Sequence, residues 1–327
     1  MNERNPLQVQ FAPPNQRQRK LPLVLIHDGG GTSFAYFLLE SLHRDVWAIH
    51  NPHYQTGEAW PGGMVQMARH YIGLMLMAGI SGPVILGGWS LGGLLSLTIS
   101  QILAKRPRSR LSVAGLLLVD SPYHTPWSEL ALPTSEPDLG DVPDLVRRCF
   151  ANCDRLLGGW KLLPWDGEAL SSAEVSVAVG GNKFHLRRGQ VLLKGVDSGA
   201  GGWRTVETRR SEAAVRAPPS PPPSPPQQLH QQQQSVTPPP GVLVKCVQRC
   251  PGREGAEHPC QVDLDRDETV LGWESGDHVE FIKAVIEADA HHYNVFDLSK
   301  ISQVTKHINE GLEILESIHA FEPSKYN

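Results

Sequence analysis

The chain contains no apolar stretch of the 18 or so residues that a membrane span needs, and its first residues include no hydrophobic core of a secretion signal. Its 30 basic and 34 acidic residues almost cancel, which leaves a formal net charge of −4. This balance gives no indication of a nucleic-acid partner or of an anionic membrane surface. We therefore expect a cytoplasmic protein that binds neither nucleic acid nor membrane.

Cysteine is also scarce, and its spacing does not match a metal site. The five cysteines are odd in number and include C-x3-C pairs, whereas zinc sites more often use C-x2-C or C-x4-C with further ligands. We expect free, structural thiols and no bound metal at Cys149, Cys153, Cys246, Cys250 and Cys260. A glycine cluster at residues 29–31 lacks the Gly-Lys-Ser/Thr continuation of a nucleotide-binding P-loop.

Continuous apolar runs alternate with helical patterns over the first part of the chain. The runs at residues 21–26, 83–86 and 113–119 are typical of strands that are buried on both faces of a parallel sheet. We therefore predict the α/β class, with a doubly wound, mostly parallel sheet and an active side at the carboxyl ends of its strands.

A G-x-S-x-G motif at residues 88–92 lies between one of these strands and a helix-favouring run. A strand that turns sharply into a helix at this motif exposes the serine hydroxyl at the tip of the turn. Ser90 is therefore a candidate nucleophile. The amide of Leu91, at the start of the helix, and that of Gly29, after the first strand, are candidate oxyanion donors.

A serine nucleophile needs a base and an acid, and the chain order in this type of fold is serine, acid, histidine. For the base, the adjacent His291 and His292 compete, and His124 is a weaker alternative. For the acid, we favour Asp120, which follows its strand directly. Its competitors occupy a longer polar loop that we interpret as solvated: Asp263, Asp265 and Asp267.

The rest of the chain is less regular. We predict a disordered leader at residues 1–20, a first core segment at 21–130, a helical lid at 131–170 and a second core segment at 241–327, in which residues 283–287 form a short edge strand. Residues 171–240 are basic and glycine-rich and then Pro/Gln-rich, and we predict that they are disordered. We hypothesise that part of this segment is a retained intron.

Four of these stretches together resemble a known family. Residues 26–31, 87–93, 117–122 and 291–296 are similar to motifs of the thioesterase domains of polyketide synthases and nonribosomal peptide synthetases, of the fungal type that includes stand-alone versions. Residues 49–52 and 57–63 fit it as well. The resemblance implies an α/β-hydrolase fold, with Ser90, Asp120 and His292 as nucleophile, acid and base and with Gly29 and Leu91 at the oxyanion.

The resemblance also implies a reaction. Ser90 would attack the thioester of an acyl chain on the phosphopantetheine arm of a carrier domain that acts in trans, with no cofactor held by this chain itself. Trp89, Trp273 and the apolar face of the lid suggest an apolar or aromatic acyl group. A carboxylesterase or lipase and a non-catalytic module of the same fold are the alternative functions.

Overall fold

The computed structural model describes residues 4–15, 20–106, 108–130, 132–163, 165, 174–198, 202–208, 237–274 and 280–321. Eleven strands and five α-helices occur in these ranges. The strands are β1 Leu7–Gln10, β2 Leu23–Ile26, β3 Val46–Ile49, β4 Gly82–Trp89, β5 Leu111–Val119, β6 Val175–Val179, β7 Asn182–Leu186, β8 Gln190–Lys194, β9 Trp203–Glu207, β10 Gly241–Cys246 and β11 Ile282–Ala288. The helices are α1 Phe34–Phe37, α2 Gly63–Met77, α3 Leu91–Ala104, α4 Asp144–Gly158 and α5 Ile301–Phe321.

Nine strands form one sheet in the order β1-β3-β2-β4-β5-β10-β11-β8-β9. The seven inner strands of this order, which begin with β3 and end with β8, pair in parallel. The two edge strands, β1 and β9, pair antiparallel with their neighbours. The predicted α/β class with a mostly parallel sheet is confirmed. The carboxyl ends of the parallel strands lie along one edge, which brings together the loops after β2, β4, β5, β10 and β11.

Helices cover both faces of this sheet, and the sequence of β2 shows why. All four of its residues are fully buried. Val24 and Ile26 pack in the cluster that contains residues of α2 and α3, whereas Leu23 and Leu25 pack in the cluster that contains residues of α5. A strand with apolar neighbours on both faces has no polar side, and this explains its continuous apolar run.

The predicted disordered leader is wrong for residues 7–10. These residues form β1, which pairs antiparallel with β3. The polar side chains do not prevent strand formation, because Gln8 binds the carboxylate of Asp45 at 3.0 Å and Gln10 donates to the carbonyl oxygen of Glu40 at 2.9 Å. Residues 16–19 of this segment lie outside the described residues.

The predicted disorder of residues 171–240 is wrong for residues 175–207. β6 and β7 form an antiparallel hairpin that packs against α5, where Ser317 accepts a hydrogen bond from the amide of Ala178 at 2.8 Å. β8 lies between β11 and β9 in the main sheet. β11 is therefore an interior strand and not the predicted edge strand. The average composition of the segment conceals these short strands, because their few apolar residues are diluted by the basic and glycine residues between them.

β8 also argues against the retained-intron hypothesis for this part of the chain. Val191, Leu192 and Leu193 are buried, and the buried ammonium of Lys194 lies 2.6 Å from the carboxylate of Glu310 on α5. A translated non-coding sequence is not selected to form a strand that pairs within the sheet, or to place a lysine opposite a glutamate of a distant helix. The Pro/Gln-rich stretch at residues 218–234 lies outside the described residues.

The helix predicted for the lid is present as α4. Its side chains press on the loop after β2: a Cβ atom added at Gly29 would lie 3.2 Å from both Phe150 and Cys153. In the part of the chain described here, no helix has the length and apolarity that crossing a membrane requires.

Candidate active site

Ser90 occupies a strained turn between β4 and α3. Its φ of 55° and ψ of −118° lie in a region of backbone conformation that residues other than glycine rarely adopt. The turn packs tightly on the neighbouring strand, because a Cβ at Gly92 would lie 2.2 Å from the carbonyl oxygen of Ile26 and one at Gly88 would lie 2.4 Å from the same atom. The glycines of the motif are therefore required by close backbone packing as well as by the turn.

Ser90, His292 and Asp120 form a continuous hydrogen-bonded chain. The hydroxyl of Ser90 lies 2.9 Å from Nε2 of His292, and Nδ1 of His292 lies 2.8 Å from Oδ2 of Asp120. Because an ionised carboxylate only accepts hydrogen bonds, Nδ1 carries the proton and Nε2 is free to accept the serine proton. His292 and Asp120 are buried, so the chain is shielded from water along most of its length.

The other candidate bases point elsewhere. The amide of His291 donates to Asn294 at 2.9 Å, and its ring Nδ1 accepts from the amide of Tyr293 at 3.3 Å. His124 binds the carbonyl oxygen of Leu157 through Nε2 at 2.8 Å. Of the histidines weighed from the sequence, the structure therefore brings His292 to Ser90.

Asp120 is held by hydrogen bonds on both oxygens. Oδ1 accepts from the amide of Cys246 at 2.9 Å and from Nη1 of Arg266 at 2.5 Å, and Oδ2 accepts from Nη2 of Arg266 at 3.0 Å. Burial alone raises the pKa of Asp120, but the hydrogen bond from His292 and the charge of Arg266 outweigh it and lower the pKa to about 2. The carboxylate is therefore ionised at neutral pH.

The interpretation of the later acidic cluster as solvated is wrong for Asp263. This side chain is fully buried, accepts from Nε of Arg266 at 2.9 Å and from the amide of Cys250 at 2.7 Å, and does not join the chain to Ser90. Asp267 is exposed and pairs with Arg249 at 2.6 Å. Asp265 packs against Gly272, where an added Cβ would lie 2.4 Å from its Oδ2.

Arg266 is the residue that the sequence analysis missed. It lies three positions after Asp263, a spacing that places two side chains on one side of a helical turn. That i,i+3 spacing was the available signal for an internal ion pair. Its second partner, Asp120, is 146 positions away in the sequence and could not be found from local patterns.

The two candidate oxyanion donors lie at the same edge of the sheet as Ser90. Leu91 is the first residue of α3, so its amide has no acceptor within the helix. β2 and β4 are neighbours with Ile26 opposite Gly88, so Gly29 follows β2 at the same edge where Ser90 follows β4. Beside them, burial raises the pKa of Asp28 to about 6, although backbone amides and His292 oppose this effect.

A cavity of about 550 Å³ opens next to this chain of side chains. It lies between the loop after β2, the helix α4 and the loop that carries His292. Its walls mix aromatic, aliphatic and acidic side chains, among them Asp28, Tyr36, Trp89, Val146, Phe150 and Tyr293. Trp273, predicted to contact an acyl group, instead packs against Tyr123 and Phe281 outside this cavity.

The aromatic residues around His292 fix the position of its ring. Tyr293 lies edge-on to the imidazole at 4.9 Å between ring centroids, and Trp89 lies at 5.8 Å. Trp89 in turn packs on Phe296 at 5.4 Å.

All five cysteines are free thiols. In the described ranges, no group of three or more histidine, cysteine or acidic side chains is placed to hold a metal ion.

Comparison with known proteins identifies the family. The model of the thioesterase domain family matches residues 21–155. A probable thioesterase of Curvularia clavata, KK1J, is 41% identical over 316 residues, which cover 97% of each chain. The chain belongs to the thioesterase family. The alignment with this thioesterase extends over nearly the whole length, so the segment at residues 171–240 falls within the shared span.

Two further similarities are to a nonribosomal peptide synthetase and to a solved thioesterase domain. The nonribosomal peptide synthetase imqB of Aspergillus flavus is 45% identical over 106 residues, which cover 32% of this chain and 3% of the synthetase. The NocB thioesterase domain, solved as a covalent complex with a fluorophosphonate nocardicin G analogue, has a TM-score of 0.53 at 17% identity and covers 89% of this chain and 95% of that one. The latter likeness supports the α/β-hydrolase fold.

Proposed function

We propose that this thioesterase releases or edits an acyl chain that is bound as a phosphopantetheine thioester on a carrier domain in secondary metabolism. The observation that carries this proposal is the hydrogen-bonded chain from Ser90 through His292 to Asp120. Trp89 and Tyr293, which flank Ser90 and His292 in the sequence, line a cavity of about 550 Å³. Such a chain activates a serine that is otherwise a weak nucleophile.

In the first half of the reaction, the hydroxyl of Ser90 attacks the thioester carbonyl and passes its proton to Nε2 of His292. The amides of Gly29 and Leu91 stabilise the negative charge on the carbonyl oxygen. The carbon–sulfur bond then breaks, and the departing thiolate takes the proton from the imidazolium. The products are a free phosphopantetheine thiol and an ester between the acyl chain and Ser90.

In the second half, a water molecule or a hydroxyl or amine of the acyl chain attacks the ester. His292 accepts the proton of this nucleophile and returns it to the oxygen of Ser90 as the ester bond breaks. Water gives a free acid, and an internal nucleophile gives a ring. Asp120 stays ionised throughout and orients the imidazole.

The carrier domain is proposed as a separate partner that acts in trans and brings the phosphopantetheine arm with it, so this chain binds no cofactor of its own. The similarity to part of a nonribosomal peptide synthetase supports a partner of this class. The cavity walls, with Trp89, Val146 and Phe150, favour an acyl chain that carries apolar or aromatic groups.

The test compares acyl-pantetheine thioesters with p-nitrophenyl esters of the same acyl group. We expect a higher kcat/KM for the thioester, whereas a strong preference for the oxygen ester would support a carboxylesterase instead. A fluorophosphonate probe should label the wild-type protein but not the Ser90→Ala variant. Folded protein that is not labelled would support a non-catalytic module and contradict the proposal.

A further inference from the structure

Arg266 is a buried cation next to the proposed catalytic residues, and the reaction described above does not use it. Its side chain is 1% exposed. All five of its N–H groups have acceptors: the two oxygens of Asp120, Oδ1 of Asp263, and the carbonyl oxygens of Cys246 and Val262. A fully satisfied guanidinium with two carboxylates is a built feature of the interior.

We propose that Arg266 is a positioning residue that fixes the carboxylate plane of Asp120 and limits how strongly this carboxylate stabilises the imidazolium form of His292. The proposal rests on the proposed function, because it concerns the base of the same reaction. Arg266 does not line the cavity, and we expect its effect to appear in kcat and in the pH profile rather than in KM.

The geometry supports the positioning role. A forked pair of hydrogen bonds at 2.5 and 3.0 Å ties both oxygens of Asp120 to one planar group, which prevents rotation of the carboxylate. The plane matters because Oδ2 also receives Nδ1 of His292 at 2.8 Å. A lysine at position 266 would keep the charge but would lose the fork.

The charge of Arg266 supports the second role. Asp120 stabilises the imidazolium that forms when His292 takes the proton of Ser90, and a positive charge on the far side of Asp120 opposes this stabilisation. Several other titratable groups interact with His292, Asp120 or Arg266, namely Asp28, Lys245, Cys246, Cys250, Asp263, His291 and, by ring contact with His292, Tyr293. Of the charged groups described around Asp120, Arg266 binds both of its oxygens directly.

The test measures kcat and KM for an acyl-pantetheine thioester between pH 4 and pH 9. Removal of Arg266 alone would leave Asp263 as an unpaired buried charge, so the main variant combines Arg266→Gln with Asp263→Asn. We expect the midpoint of the acidic limb to rise by about half a pH unit or more, because the loss of Asp263 cancels only part of the effect of losing the nearer cation.

One single variant separates the effect of charge from that of geometry, and a second serves as a control. Arg266→Lys should leave the midpoint of the acidic limb unmoved while kcat falls about tenfold, because a single ammonium cannot hold both oxygens of Asp120. Arg188→Gln removes an exposed arginine that is paired with Glu280 at 3.4 Å on the far part of the sheet, and it should change neither quantity.

The proposal would be overturned if the double variant is folded and has the same kcat and the same midpoint of the acidic limb of the pH profile as the wild type. A shift in Arg266→Lys as large as that in the double variant would show that charge is not the cause. If thermal unfolding shows that the double variant does not fold, an unchanged kcat in Arg266→Lys overturns the positioning role. Absence of thioester turnover in the wild type would instead contradict the proposed function itself.

Discussion

Replacement of Asp120 by asparagine changes one heavy atom and should abolish most activity, because it moves the proton of the His292 ring from Nδ1 to Nε2. Oδ1 of Asp120 accepts from the amide of Cys246 and from Nη1 of Arg266, and neither donor can become an acceptor, so the amide oxygen of the new side chain should take the place of Oδ1. Its NH₂ group is then directed at Nδ1 of His292. The imidazole must accept this hydrogen bond, which moves its proton to Nε2, and Nε2 can no longer accept the proton of Ser90.

The expected loss in kcat is about four orders of magnitude, which corresponds to roughly 5 kcal/mol of transition-state stabilisation. The variant also leaves the charge of Arg266 without one of its two carboxylates. A broken buried ion pair costs about 3 to 5 kcal/mol of folding free energy. Activity must therefore be measured well below the unfolding midpoint of the variant.

The assay compares kcat for an acyl-pantetheine thioester in the wild type, in Asp120→Asn and in Asp267→Asn. Asp267 is the matched control, since it is an acid of the competing cluster that lies exposed and pairs with Arg249. The control should retain wild-type activity. If Asp120→Asn retains activity within tenfold of the wild type while the protein is folded, the assignment of Asp120 as the orienting acid is wrong.

Three further predictions follow from other contacts. His292→Ala should reduce kcat by several orders of magnitude in the thioester assay and His291→Ala should change it little; equal losses would leave the base with no preferred residue. Because burial raises the folded-state pKa of Asp28 to about 6, the free energy of unfolding of the wild type should fall as the pH rises from about 4 to about 6. In urea unfolding, Asp28→Asn should therefore have a free energy of unfolding about 3 kcal/mol higher than the wild type at pH 7, and the two should not differ in this way at pH 4. Lys194→Met breaks the pair with Glu310 and should lower the thermal unfolding midpoint by several degrees, whereas no change would indicate that β8 is not a stable part of the sheet.

The site could be largely predicted from the sequence because each of its residues follows a buried strand. Ser90 follows β4 directly, Asp120 follows β5 directly and His292 comes shortly after β11. Parallel strands end at one edge, so the apolar runs alone place these side chains near one another. The choice between His291 and His292 depends on backbone direction within a loop, and the residues by themselves did not settle it.

The strands at residues 175–207 and the role of Arg266 were not predictable in the same way. β8 is stabilised by β11, about ninety residues later, and by an ion pair with α5, so its local composition does not reveal its place in the sheet. Charged residues in a polar loop are usually solvated, but Asp263 and Arg266 are buried because Arg266 pairs with Asp263 and also with the distant Asp120.

The contact between α4 and the loop after β2 has a consequence for attempts to alter which acyl groups are accepted. Phe150 and Val146 line the cavity, and Phe150 also presses on Gly29, whose amide is proposed to bind the oxyanion. A smaller side chain at position 150 would widen the cavity and at the same time remove the support of that amide. Substrate range and turnover are therefore mechanically linked, and we expect variants selected for bulkier acyl groups to need a second change that restores the packing around Gly29.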